Sequence, residues 1–217
     1  MSELNLRSFY ETLQLLYLES IELLKSARKI RDVFDAAPHI TLSMDVNETI
    51  KAIVEFICES LGCERATVFA MDKKTNVLWS KVAIGTSVTI TVPVGKGIAG
   101  FVASTANSLN IRDAYLDSRF DSSIDMTLGY KTKSVIAVPI IGISGEVEGV
   151  VQAINKLPDR HGHQRSFDRN DLGIVEMIAN LASSTFHNSL EFNQQSSSMN
   201  NLKIVLKTGS RLIKVRQ

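Results

Sequence analysis

Three sets of residues in this sequence could do chemistry, and their spacing sorts them. The first is a glycine pair around a lysine, Gly95-Lys96-Gly97 within VPVGKGIAG. Apolar Val88, Ile90, Val92 and Val94 alternate with polar or small residues before it, and Ile98, Ala99, Phe101, Val102 and Ala103 follow at helical spacing. A strand therefore turns into a short helix at the glycines, and the unpaired N–H groups that open such a helix attract anions. The second set is the two thiols, Cys58 and Cys63, placed at the end of a predicted helix and in the turn after it. No second cysteine pair completes a zinc site, so both are expected to be reduced and partly buried. The third set is His39, His161, His163 and His187, which are spread out, with His161 and His163 in an arginine-bearing loop that faces solvent. Neither thiols nor imidazoles have the neighbours that an activated nucleophile or a metal requires, so a non-catalytic module is expected.

The elements that would position the glycine turn can be read from periodicity. Leu6, Phe9, Leu13, Leu16, Ser20, Leu23, Ala27, Ile30 and Phe34 recur at spacings of three and four, a heptad seam within a first segment over residues 1–38. Leu15, Leu18, Ile21, Leu24 and Val33 widen that surface, so this helix is compatible with packing on its own domain, on a second copy or on a partner. Asp45 and Glu48 mark the start of a second helix over residues 46–61, whose stripe is Ile50, Ile53, Val54, Ile57 and Leu61 and whose stop is Gly62. Strands follow at residues 65–71 and 77–84 around the polar turn DKKTN. Residues 113–131 read as a lid or surface crossing. Two apolar, β-branched strands at 134–141 and 147–154 form a central hairpin. Asp168 caps a last helix, with Phe167 and Leu172 placed as a hydrophobic staple.

The chain has 217 residues with 24 basic against 23 acidic, so neither nucleic acid nor an anionic membrane is an evident partner. No apolar run is long enough to span a membrane and no secretory pattern opens the sequence, so a cytoplasmic protein is expected. Beyond residue 192 the composition turns polar and then basic, in a tail over residues 193–217 that carries five basic residues and no acid from Asn201 onward. That tail fits a solvated end or an amphipathic helix docking on an acidic partner.

The strings TVFAMDKKTN, VGKGIAGFVASTANSLNIRDAYLDSRF, GYKTKSVIAVPI and GVVQAINK, in this order between Ala66 and Phe192, resemble the GAF domains that regulate cyclic nucleotide phosphodiesterases and some adenylyl cyclases. The resemblance implies an α+β fold over residues 45–192, a central antiparallel sheet flanked by helices, with long helices at both ends. It also implies a motif of structural residues: Asn155, Lys156, Phe167 and Asp171 match, while Leu172 stands where the family has a Glu. Lys156 and Asp171 are expected to pair and fix a strand-to-helix corner beneath the pocket. For a ligand pocket the resemblance implies Thr67 on the first strand, Ile98 and Ala99 after the glycine turn, Asp125 and Thr132 in and after the lid, and Gln152 where guanine-binding relatives have a Glu. Ala83, Ile84, Asp121 and Leu128 depart from the family pattern in ways that weaken ligand holding.

The same resemblance implies a module with no resident cofactor and no metal, for which cAMP or cGMP is the candidate ligand. cAMP is preferred slightly, because no acid stands ready to accept from guanine. Cys58 and Cys63 precede the pocket segments, which sets aside the methionine sulfoxide chemistry of a few relatives. The family's catalytic phosphodiesterase domain has no counterpart in the sequence, so action through a protein partner or a homodimer, by the terminal helices, is expected. The alternative is a degenerate pocket in a structural adaptor of a cytoskeletal or ciliary assembly.

Overall fold

A computed structural model describes residues 46–83 and 89–183, together with helical positions at 12–21, 24, 27, 28, 31, 32 and 35. The 12–21 stretch is α1 and carries Leu13, Leu16 and Ser20 of the heptad seam; of the other seam positions Ala27 is described and Leu6, Phe9, Leu23, Ile30 and Phe34 lie outside the described residues, as does the basic tail. In chain order come α2 (Val46–Leu61), β1 (Cys63–Asp72), β2 (Val77–Ala83), β3 (Thr91–Pro93), α3 (Gly97–Thr105), β4 (Leu109–Ile111), a 3-10 turn (Ala114–Leu116), α4 (Ser123–Leu128), β5 (Val135–Ile141) and β6 (Val147–Lys156). A last helix, α5, runs over residues 169–183.

The six strands form one antiparallel sheet in the order β3-β2-β1-β6-β5-β4. Alternation along the strands divides its side chains between two cores. Ala66, Val68 and Ala70 of β1, Ile136, Val138 and Ile140 of β5, and Val151 and Ala153 of β6 meet the buried stripes of α2 and α5 on one face. Ile50, Ile53, Val54 and Ile57 of α2 are fully buried there, each worth about 1.5–3 kcal/mol in removal from water. On the other face Phe69, Val135, Ala137 and Val150 pack with Ile98, Ala99, Val102 and Ala103 of α3. The predicted hairpin of β5 and β6 is indeed central, with β6 between β1 and β5.

Three differences from the sequence reading have local causes. The half-buried strand expected from Val88 reduces, among the described residues, to the three residues of β3. β4, which periodicity did not reveal, is equally short and pairs only Leu109–Ile111 with Val135–Ala137. Its pairing stops two residues before Pro139, which has no N–H to offer an edge partner. Cys63 is the first residue of β1 rather than part of the preceding turn.

Candidate ligand pocket

The floor of the site is a patch of the β1–β6 pair. Thr67 lies opposite Gln152 and Arg65 opposite Ile154, all directed to the face away from α2 and α5. With α3 and the lid they bound a partly open cavity of about 200 Å³. Its apolar lining includes Phe69, Ile90, Val92, Phe120, Ile124 and Leu128.

One wall is the glycine turn. Gly95 and Gly97 take positive φ, 84° and 66°, which side chains tolerate poorly, and Lys96 between them is the N-cap of α3. No side chain caps that helix, so the first N–H groups, at Gly97, Ile98 and Ala99, have neither an intrahelical nor a capping partner. Gly100 is required for a different reason: a Cβ there would stand 2.3 Å from the Pro93 carbonyl oxygen, so only glycine lets α3 lie this close to β3. Lys96 reaches the lid, its Nζ 3.5 Å from Asp121. Hydrogen bonds from the Ser123 side chain and amide, and then the Lys96 charge, hold the Asp121 carboxyl below the usual carboxylate range.

The lid is α4 with its flanks, and Asp125 anchors it. This buried carboxylate accepts from the Thr132 amide and from the Thr132 hydroxyl, both at 2.7 Å, and from the Tyr115 hydroxyl at 3.0 Å. α4, the 3-10 turn and the approach to β5 are thereby tied to one side chain. A second tie sits at the lid exit. Asn155, almost fully buried at φ 60°, donates to the Tyr130 hydroxyl at 2.8 Å, to Glu64 at 3.1 Å and to the Lys131 carbonyl at 2.9 Å, and accepts from the Lys133 amide. Tyr130 donates to Glu64, and the Arg65 guanidinium lies 3.7 Å over its ring. Burial and the neighbouring Glu64 charge push the Tyr130 hydroxyl up. Burial acts to raise Glu64 too, but the hydrogen bonds from Tyr130 and Asn155 outweigh it and leave that carboxyl below its ordinary range.

Thr67, Ile98, Ala99, Asp125, Thr132 and Gln152 all line this cavity, as do the departures Asp121 and Leu128. Asp125 and Thr132, expected as separate ligand contacts, are bonded to each other. Ile84 lies outside the described residues, as does the Ala83 side chain. The structural motif stands apart: none of Asn155, Lys156, Phe167 and Asp171 is on the cavity wall. Lys156 Nζ is 2.7 Å from both Asp171 oxygens, deep in the interior, and 5.7 Å from the Phe167 ring centre. Asp168 and Asp171 cap α5 reciprocally, the Asp171 amide donating to Asp168 at 2.8 Å and the Asp168 amide to Asp171 at 3.1 Å. Phe167 and Leu172 join one core, as a staple would.

Arg65 and Tyr130 were missed as wall residues. Arg65 is two positions before Thr67, and strand periodicity puts both on one face, so the signal was present. Tyr130 follows a glycine in an irregular stretch with no periodicity to read. Chemically the wall offers donors at Arg65, Lys96, Thr67 and Gln152, and its two acids are already bonded or paired. It has no cysteine or histidine. Among the described residues no group of three or more His, Cys, Asp or Glu could hold a metal, and no helix is long and apolar enough to cross a membrane. Such a site suits an anionic ligand with a flat apolar body.

The GAF domain family matches residues 45–186. The sequence is 40% identical over 129 residues to the dual 3′,5′-cyclic-AMP and -GMP phosphodiesterase 11A of Takifugu rubripes, covering 54% of this chain and 14% of that protein. It is 32% identical over 178 residues to a probable 3′,5′-cyclic phosphodiesterase of Caenorhabditis elegans, covering 76% of this chain and 23% of the other. The chain thus spans less than a quarter of either relative. In fold it is similar to the GAF domain of a phosphoenolpyruvate-protein phosphotransferase from Coxiella burnetii, with TM-score 0.67 at 16% identity, over 77% of this chain and 98% of that one.

Proposed function

This chain belongs to the GAF domain family, and on that premise we propose that it is a non-catalytic module that binds a cyclic nucleotide between sheet and lid. The observation that carries the proposal is the convergence of Thr67, Ile98, Ala99, Thr132 and Gln152 on one cavity at the uncapped start of α3. The cyclic phosphate would take the α3 N–H groups and Lys96, and the base would lie between the apolar lid and Gln152. The two phosphodiesterase relatives support a cyclic nucleotide as the ligand class. cAMP is preferred: Asp125 is occupied by Thr132 and Tyr115 and Asp121 by Lys96, so no carboxylate remains for guanine N1–H and N2–H₂. Occupancy acts through the terminal helices on a second copy or a protein partner.

Titration calorimetry with cAMP, cGMP and 5′-AMP tests this. Micromolar cAMP affinity, weaker cGMP and no 5′-AMP heat is the expected pattern. Equal or tighter cGMP binding would remove the cAMP preference and leave the pocket. A second reading, a structural adaptor with an unused pocket, draws on α1, where Leu15 and Leu18 are 63% and 58% exposed. It requires that neither nucleotide bind while a protein partner is retained by residues 1–38.

A further inference from the structure

The C-terminus of α2 ends in a glycine cap whose two contact positions are both cysteines. Gly62 adopts φ 59°, and its N–H donates to the Glu59 carbonyl at 3.3 Å, closing α2 on a left-handed glycine. With Gly62 as the left-handed residue, the position four before it and the position after it are Cys58 and Cys63. Such a cap presses these two side chains together, a contact ordinarily made by apolar residues. Both thiols belong to the core beneath α2, Cys63 within it and Cys58 packed against it.

The two thiols are not equivalent. Cys63 heads β1, is 5% exposed, and its sulfur lies 3.6 Å from the Arg65 carbonyl oxygen. Cys58 is only half-buried, in the last turn of α2. The neighbouring Cys63 thiol lowers the Cys58 thiol, helped by the Ala66 amide and opposed by burial and by Glu59 and Glu55. The neighbouring Cys58, with burial, pushes Cys63 up against the pull of nearby Lys156. One sulfur is half-buried with its thiol lowered, and the other is sheltered with its S–H directed at the Arg65 carbonyl. That asymmetry is what separates an attacking thiol from a resolving one.

We propose that Cys58 and Cys63 form a peroxide-oxidised dithiol in which Cys58 attacks, Cys63 resolves, and a disulfide clasps α2 to β1. The Cys58 thiolate attacks one oxygen of hydrogen peroxide; an S–O bond forms, the O–O bond breaks, and the leaving hydroxide takes a proton to become water. Cys63 sulfur then attacks the sulfenic sulfur, the S–S bond forms, the S–O bond breaks, and the Cys63 proton leaves with the hydroxyl as a second water. Two thiols lose two electrons and two protons, and the peroxide is reduced to two waters. Both thiols stand in one core cluster at the α2–β1 corner, where the S–S bond would form. The clasp lies two residues before Arg65 on the strand that floors the cavity, and Cys63 pairs in register with Lys156. The proposal does not depend on a nucleotide occupying the pocket.

The test is to treat the folded 217-residue chain with hydrogen peroxide, alkylate under denaturing conditions, and read intact mass and peptide map. Loss of two hydrogens with a single Cys58–Cys63 cross-linked peptide, reversed by dithiothreitol, is expected. In Cys63→Ser oxidation should stop at a dimedone-trapped sulfenic acid on Cys58, and in Cys58→Ser the Cys63 thiol should stay alkylatable. Two alkylated thiols at peroxide levels that oxidise free glutathione, a disulfide between chains, or dimedone on Cys63 would each overturn the proposal. Should a serine variant fail to fold by circular dichroism, the unsubstituted chain's mass and map decide alone.

Discussion

Asp125 uses its whole carboxylate inside the protein, and that changes what the cavity can do. The family pattern implies Asp125 and Thr132 as parallel ligand contacts; the pair instead closes on itself and on Tyr115. Residue identity was legible there, but partnership was not, since nothing in spacing says that an acid seven positions before a threonine will take its amide. Asp125→Ala should destabilise by about 2–3 kcal/mol, the loss of charge-assisted bonds, read as a lower urea midpoint at unchanged slope. Asp121 has the opposite consequence. Its pairing with Lys96 is partly exposed, so Asp121→Asn should free the lysine and tighten cAMP by about two- to fivefold, while Lys96→Ala weakens it, both read by calorimetry. The buried Lys156–Asp171 pair was legible from the family pattern because both ends fall at element termini. Lys156→Met alone leaves a buried carboxylate uncompensated and should cost about 3–5 kcal/mol, whereas Lys156→Met with Asp171→Leu should recover most of it in the same denaturation experiment.

At the level of elements, the sequence was informative where a period repeats often enough to be seen. α2 shows a full apolar stripe and a glycine stop, while β5 and β6, covered on both faces, were legible as apolar, β-branched runs. β3 and β4, three residues each, are too short to show a period and exist because longer neighbours pair with them. The lid is irregular for a related reason: its shape is set by Asp125 and Asn155 rather than by periodic burial. The packing of α3 on β3 rests on Gly100. Gly100→Ala forces that contact apart and should cost about 1–3 kcal/mol, accompanied by faster amide exchange in α3 and loss of nucleotide heat. An alanine that leaves melting and exchange unchanged would show that α3 does not sit this close.

Over the whole molecule, the sheet separates two jobs. One face is a dry core under α2 and α5, locked by the Lys156–Asp171 pair, and the other carries α3, the lid and the cavity. The family and the fold were legible because the family's glycines and motif residues stand at element boundaries. Arg65 was readable from its two-residue spacing to Thr67, whereas the place of Tyr130 on the wall depends on how the lid exit folds back on β1. The central claim is that this cavity holds a cyclic nucleotide at the start of α3. Titration calorimetry of cAMP into the chain, beside a chain carrying Ala99→Phe and Thr132→Ala, tests it most directly. Micromolar binding that the substitutions abolish, with the melting temperature of the substituted chain verified, is the predicted result. No heat and no thermal shift at millimolar cAMP and cGMP, or binding that survives the substitutions, would contradict it.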